Sequence, residues 1–325
     1  MCGIIAIKRL DGKAPHRMLH KRYQFQKSRG QEGYGFVLLK QNKVVAYERS
    51  ETEKEIMAKL NQGVSDEVIF HHRMPTSTDN LMEAAHPIRV SNDKLKHDYY
   101  LIHNGIIHEP EKWKDLHEQD GFEYTTRIVK QRRTLLRTLF VDDEFNDSEA
   151  LAIELAIDLD KEGNGISVSG SIAFVMLQTD KEGNAIRLFW GRNDGSPLKI
   201  NELAGVFRTI ASEGQGVIIP THKLYEYDYH RKTVSCRDYT VGLNKIWGFK
   251  YGYPEDDKDY SAEDSENTKY FQLLEKYDNL KKSYEEMLLE GLDDQKLLGE
   301  LDDVEAEIAD MEAEFDNLKL ETITT

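Results

Sequence analysis

Short β-rich runs recur through the first 250 residues without the regular strand–helix alternation that a parallel sheet needs. They lie at Gly3–Lys8, Gly35–Leu39, Val44–Tyr47, Val68–His72, Tyr99–His103, Ser171–Leu177, Ile186–Trp190 and Thr209–Ser212, with helical spacing over residues 15–27, 52–61, 109–118 and 147–159. Strands outnumber helices. The pattern predicts an α+β architecture of antiparallel sheets packed face to face, with helices outside.

Charge divides the chain where this pattern stops. Residues 251–325 hold 24 acidic and 7 basic side chains, a net charge of −17, against −16 for all 325 residues, so the first 250 are close to neutral. Tyr251-Gly252-Tyr253-Pro254-Glu255-Asp256-Asp257 is rich in turn formers and charge, and residues 251–261 read as an acidic linker. Beyond it, Tyr270, Leu273, Tyr277, Leu280, Tyr284 and Met287 recur at spacings of three and four, and Leu297, Leu301, Val304, Ile308, Met311, Phe315 and Leu318 repeat the spacing. This predicts an antiparallel helical hairpin or coiled coil over residues 262–320, turning at Gly291. Its apolar seam can pack on itself, join a second copy or dock a partner.

Composition excludes several classes. The apolar start Gly3–Ile7 meets Lys8 and Arg9 at once, too short for a signal-peptide core or a membrane span. Two cysteines in 325 residues argue against a disulfide scaffold and for a reducing, cytoplasmic compartment. Neither a Gly-x-Gly-x-x-Gly fingerprint nor a P-loop occurs, and His and Cys lack metal-ligand spacing, so no cofactor or metal is expected. The stretch 127–137 (RIVKQRRTLLR) is basic and helical in pattern. It carries no interleaved aromatic residue for stacking bases, which makes the acidic tail or a protein partner a better match than nucleic acid.

The chemistry begins at Met1-Cys2-Gly3-Ile4-Ile5. Removal of Met1 would leave a thiol and a free α-amine on one residue, with ordinary pKa values near ~8.5 and ~7.7–8.0, close enough for the amine to serve the thiol as its base. A lone Met-Cys start is equally an ordinary first strand. Three distant motifs favour the nucleophile: Arg29-Gly30-Gln31-Glu32-Gly33-Tyr34-Gly35, His71-His72-Arg73-Met74-Pro75-Thr76 and His103-Asn104-Gly105-Ile106-Ile107.

With Cys2, these motifs resemble the class II glutamine amidotransferases. The resemblance continues in the family's order through Ala85-His86-Pro87, Asp147-Ser148-Glu149, Gly170-Ser171-Ile172-Ala173-Phe174, Gly195-Ser196-Pro197-Leu198 and Ala211-Ser212-Glu213, and covers residues 2–250. It implies the four-layer αββα sandwich of N-terminal nucleophile hydrolases. It also implies an N-terminal cysteine that attacks the glutamine side-chain amide, forms a thioester and releases ammonia, after which water frees glutamate. By the same resemblance Asn104 and the Gly105 amide form the oxyanion hole, Arg73 takes the substrate α-carboxylate, Asp147 its ammonium, Thr76 and His86 line the pocket, and Arg29 supports the catalytic loop. Each residue has an ordinary reading too: Asn104-Gly105 as a hairpin turn, Arg73 as a surface arginine, Asp147 as a helix N-cap.

Two departures stand out. Met74 replaces the aromatic residue the family commonly has after the arginine, and the chain between Gly105 and Asp147 is longer than the family's, the extra stretch being the basic one at 127–137. Glu32 also stands where the family usually has Asp. The family's larger members carry an acceptor domain, which a 75-residue acidic tail of helical spacing does not supply. The expectation is a glutaminase that feeds ammonia to a separate synthase subunit. The alternatives are a stand-alone γ-glutamyl amide hydrolase and an idle binding protein that works through its helical arm.

Overall fold

The computed structural model describes residues 2–243 other than 12, 75–77, 79–80, 134–138, 204–206 and 215, and the backbone alone within 130–143 and at 203 and 243. The linker at 251–261, the helical hairpin at 262–320 and Thr76 lie outside the described residues.

In chain order the strands are β1 (Gly3–Arg9), β2 (Glu32–Lys40), β3 (Lys43–Ser50), β4 (Glu67–Arg73), β5 (Ile88–Val90), β6 (Asp98–Ile107), β7 (Ile128–Arg133), β8 (Leu139–Glu144), β9 (Gly165–Thr179), β10 (Ala185–Arg192), β11 (Lys199–Leu203), β12 (Phe207–Ala211), β13 (Val217–Ile218), β14 (Lys223–Asp228), β15 (Thr233–Asp238) and β16 (Thr240–Leu243). Four α-helices punctuate them: α1 (His16–Gln26), α2 (Glu53–Gln62), α3 (Pro110–Gln119) and α4 (Ser148–Asp160). One sheet runs β13-β11-β12-β1-β4-β2-β3 and the other β15-β14-β10-β9-β6-β5, with β16 joining β9 in parallel. The remaining ladders among the described residues are antiparallel.

The layering follows from which residues each strand buries. Ile4 and Ala6 of β1, Val37 of β2 and Ile69 of β4 pack against Ile102, Val175 and Trp190 of the opposing sheet. Their neighbours Ile5, Ile7, Phe36 and Phe70 face the other way, onto Leu19 and Tyr23 of α1 and Ile56 and Leu60 of α2. The second sheet buries its far face under α4 through Leu151, Leu155, Ala156 and Leu159. A strand covered on both faces has no solvated side to keep polar, which is why β1 reads as the continuous run Gly-Ile-Ile-Ala-Ile. The result is helix, sheet, sheet and helix in four layers.

Local signals set the helix starts. The Thr52 side chain accepts the Glu55 amide at the head of α2, and Pro110 opens α3 where its missing N–H costs nothing. One local expectation fails. The basic stretch 127–137, whose pattern suggests a helix, contributes β7, paired to β8 in a two-stranded ladder. The register sets Lys130 opposite Asp142, and β-branched Ile128 and Val129 favour a strand. Backbone pairing to β8 outweighs a short run of helical spacing.

Candidate active site

Cys2 precedes the first residue of β1 and is held at both ends of its backbone. Its N–H donates to Asn104 Oδ1 at 3.0 Å, and its carbonyl accepts from Arg29 Nε at 3.0 Å. The thiol, half-buried, lies 3.8 Å from the Met74 carbonyl. Burial pushes the Cys2 thiol pKa above its ordinary value. The backbone at Met74, the chain's positive N-terminus and the Arg73 guanidinium pull it back, while the Asp147 carboxylate adds to the rise. The thiol therefore needs a base to attack at neutral pH.

Arg29 in turn is fixed by an ion pair with Glu213, beyond the end of β12. Ser212 Oγ accepts the Ile4 amide at 3.1 Å. Residues more than 180 positions downstream thus brace the first turn of chain. The Ala-Ser-Glu motif at 211–213 marks this location in the sequence, but Glu213 was not assigned a role there.

Asn104 and Gly105 sit inside β6, opposite Ala173 and Ile172 of β9. The reading of this dipeptide as a hairpin turn is therefore wrong: the strand runs through it to Ile107. Gly105 has φ +150°, and a Cβ there would lie 1.7 Å from the Ser171 carbonyl oxygen, so only glycine fits. Asn104 is fully buried. Its Oδ1 is engaged by Cys2, which turns its Nδ2 away, and Nδ2 has no hydrogen-bond partner among the described residues. A buried amide donor left unpaired on a residue that holds Cys2 is unusual, because an unpaired buried N–H costs about 1–3 kcal/mol.

Arg73 ends β4 and is 3% exposed, with Nη2 donating to Thr78 Oγ1 at 2.7 Å. It is not the surface arginine that composition alone would suggest. Asp147 precedes α4, yet its carboxylate does not cap that helix; Oδ2 accepts the Ile107 amide of β6 at 2.7 Å. Asn146 Oδ1 takes the Ser148 amide instead. The N-cap reading of Asp147 thus gives way to a link between α4 and the end of the strand that carries Asn104. Cys2, Arg73 and Asp147 interact electrostatically with one another.

His86 is 2% exposed and stacks on His71, with ring centroids 4.1 Å apart. Both of its ring nitrogens are buried without a partner among the described residues. His71 Nε2 lies 2.9 Å from the His103 carbonyl oxygen, and His103 Nδ1 bonds Ser148 Oγ at 2.9 Å. Burial is the largest influence on all three rings and pushes each pKa down, so they are neutral near pH 7.

The remaining motifs build the wall around Gly105. Asn193 Oδ1 accepts the amides of Ile172 and Gly195, its Nδ2 donates to the Gly170 carbonyl, and Ser171 Oγ bonds Ser196 Oγ at 2.7 Å. Glu149 accepts four bonds, from the amides and hydroxyls of Thr125 and Thr126. Neither Asn193 nor the full role of Glu149 is visible in the sequence, because both act through backbone groups that carry no residue-type signature. Among the described residues no grouping of three or more His, Cys, Asp or Glu is placed to hold a metal ion, and no helix is long and apolar enough to cross a membrane.

No protein-family model matches the sequence, and no curated protein does. Solved structures do match. A glutamine phosphoribosylpyrophosphate amidotransferase from B. subtilis, complexed with ADP and GMP, aligns with 73% of this chain and 49% of its own, at 17% identity and a TM-score of 0.53. The fold is that of the aligned half of this amidotransferase. A structure described as the allosteric regulatory enzyme of purine biosynthesis agrees, at 17% identity, TM-score 0.52 and the same coverage. This chain spans about half the length of those relatives. At this identity the likeness is one of fold, and the resemblance carried by the sequence motifs holds at that level.

Proposed function

We propose that this chain is a glutamine-hydrolysing amidotransferase domain in which Cys2, made N-terminal by removal of Met1, is the nucleophile. One observation carries the reading: Asn104 spends its oxygen on Cys2 N and keeps a buried Nδ2 that has no hydrogen-bond partner among the described residues. That is the arrangement an oxyanion hole requires, a donor oriented before charge develops.

In this mechanism the α-amine of Cys2 takes the thiol proton and the sulfur attacks Cδ of glutamine. The C–S bond forms, and the carbonyl electron pair moves onto oxygen, where Asn104 Nδ2 and the Gly105 N–H receive it. Collapse breaks the C–N bond, with the α-ammonium returning its proton to the departing ammonia. Water, deprotonated by the same amine, then cleaves the thioester to glutamate and restores the thiol. Arg73 binds the substrate α-carboxylate and Asp147 its ammonium. Thr76 and His86 contribute to the pocket, His86 as a buried backing to the wall.

The ammonia goes to an acceptor carried by a separate synthase subunit, with residues 262–320 as the docking or self-association element. The reading is tested by mass spectrometry after treatment with a glutamine-like affinity label, alongside an ammonia-release assay. One label on Cys2 of a Met1-free chain is expected. Full turnover in a confirmed Met1-retaining sample would sink the mechanism.

A further inference from the structure

His72 lies on the opposite face of β4 from His71 and belongs to none of the roles above. It is fully buried and stands opposite Gly3 in the β1–β4 register. Its Nδ1 is 2.6 Å from the Gly30 carbonyl oxygen. A carbonyl can only accept, so Nδ1 carries the proton. In a neutral ring Nε2 is then bare, and it has no hydrogen-bond partner among the described residues. Burial, reinforced by the Arg29 charge and only partly offset by the Gly30 bond, pushes the His72 pKa down to about 4, so the ring holds this one tautomer at neutral pH.

The bare edge faces Gly3. A Cβ on Gly3 would fall 1.8 Å from His72 Nε2 and 2.4 and 2.5 Å from the adjoining ring carbons. The ring therefore fills the space a side chain at residue 3 would need, directly against the backbone that follows Cys2. Tyr23 of α1 closes on it edge-to-face at 5.1 Å and 86°. At its other end the ring holds Gly30, the residue after Arg29, whose guanidinium grips the Cys2 carbonyl. Gly30 is itself packed so closely on the Arg73–Met74 backbone that a Cβ there would lie 2.4 Å from the Arg73 carbonyl carbon.

We infer that His72 is a positioning residue for the nucleophile: its protonated Nδ1 anchors the Arg29–Gly30 turn while its bare edge sets the height of Gly3, so one rigid ring fixes both the turn that carries Arg29 and the residue that follows Cys2. This rests on the glutaminase reading for its catalytic consequence, and on geometry alone for the contact. A ring that serves only as core filler would be replaced by any residue of similar volume. A ring that positions through its Nδ1 donor is replaced only by a side chain that offers an N–H at the same reach, as asparagine does.

The test compares His72→Asn with His72→Leu in glutamine hydrolysis, and Gly3→Ala with Gly3→Ala/His72→Ala in thermal melting. Expected is a kcat at least tenfold below wild type for His72→Leu with KM within twofold, recovery by His72→Asn to within about threefold, and a Gly3→Ala melting loss that shrinks in the His72→Ala background. Equal kcat values for the Leu and Asn variants, or a change confined to KM, would overturn the positioning role. A Gly3→Ala loss undiminished in the double variant would overturn the contact. If the wild-type protein releases no ammonia from glutamine, the functional reading fails, and the melting cycle still decides whether the His72–Gly3 contact exists.

Discussion

Asn104 does two jobs with one amide, and its two atoms separate them. Oδ1 holds Cys2 and, in the proposed mechanism, Nδ2 is left for the transition state, so Asn104→Ala should lower kcat by on the order of 10²–10³ with a smaller effect on KM. Arg73→Ala and Asp147→Ala remove groups assigned to the ground-state substrate and should chiefly raise KM for glutamine. Steady-state kinetics at saturating and limiting glutamine separate the two classes, and an unchanged kcat in Asn104→Ala would remove it from the oxyanion hole. At this scale much of the site was legible, because thiol, amide, guanidinium and carboxylate are each tied to one chemical task. What escaped were residues acting on backbone. Asn193 binds amides and a carbonyl, Glu213 holds Arg29, and His72 reads as one more histidine in a run of two.

Among the elements, α4 is the one that joins the site to the hairpin of β7 and β8. Glu149, the second residue of the helix and 1% exposed, collects the amides and hydroxyls of Thr125 and Thr126, just before β7, while Asn146 N bonds Thr126 Oγ1 at 2.9 Å. Glu149→Ala would strand two buried or half-buried N–H groups and should cost about 2–4 kcal/mol of stability. It should also raise KM for glutamine, since Asp147 lies two residues away on the same turn. Urea unfolding and glutamine titration of the variant check both effects; a variant of wild-type stability would mean that the clamp contributes nothing. All four helices and all eight strand runs expected from periodicity are present, with ends that differ by a few residues. The short strands β5, β11 and β13 went unread because two to five residues carry too little period. The β7 stretch was misread because its partner, β8, decides its conformation from a distance.

Over the whole molecule, the buried histidines couple stability to acidity. His71, His72, His86 and His103 are all held neutral by burial, His72 down to about 4 and the others below their ordinary value. Below about pH 6.5 the unfolded chain takes up protons at these rings more readily than the folded chain, so stability falls as pH drops, for His72 over the window from about 6.5 to about 4. His72 contributes up to about 1.4 kcal/mol per pH unit in that window. Melting temperature measured from pH 7.5 to 4.5 should fall steadily below pH 6.5, and more gently in His72→Asn. A flat profile would show that the cluster takes up protons without unfolding.

The hydrogen bond from Cys2 to Asn104 spans 102 residues and ties the head of the central strand of one sheet to the strand next to the edge of the other. Arg29 and Glu213 close the same corner across a longer stretch of chain. No fragment shorter than residues 2–213 holds all of these groups, so in the proposed mechanism a chain that has not yet reached Glu213 has no complete centre from which to release ammonia. Active-site titration of such a protein is therefore a census of finished molecules, and loss of titratable sites on storage would report opening of the sandwich even where the helices and sheets still give a native-looking spectrum.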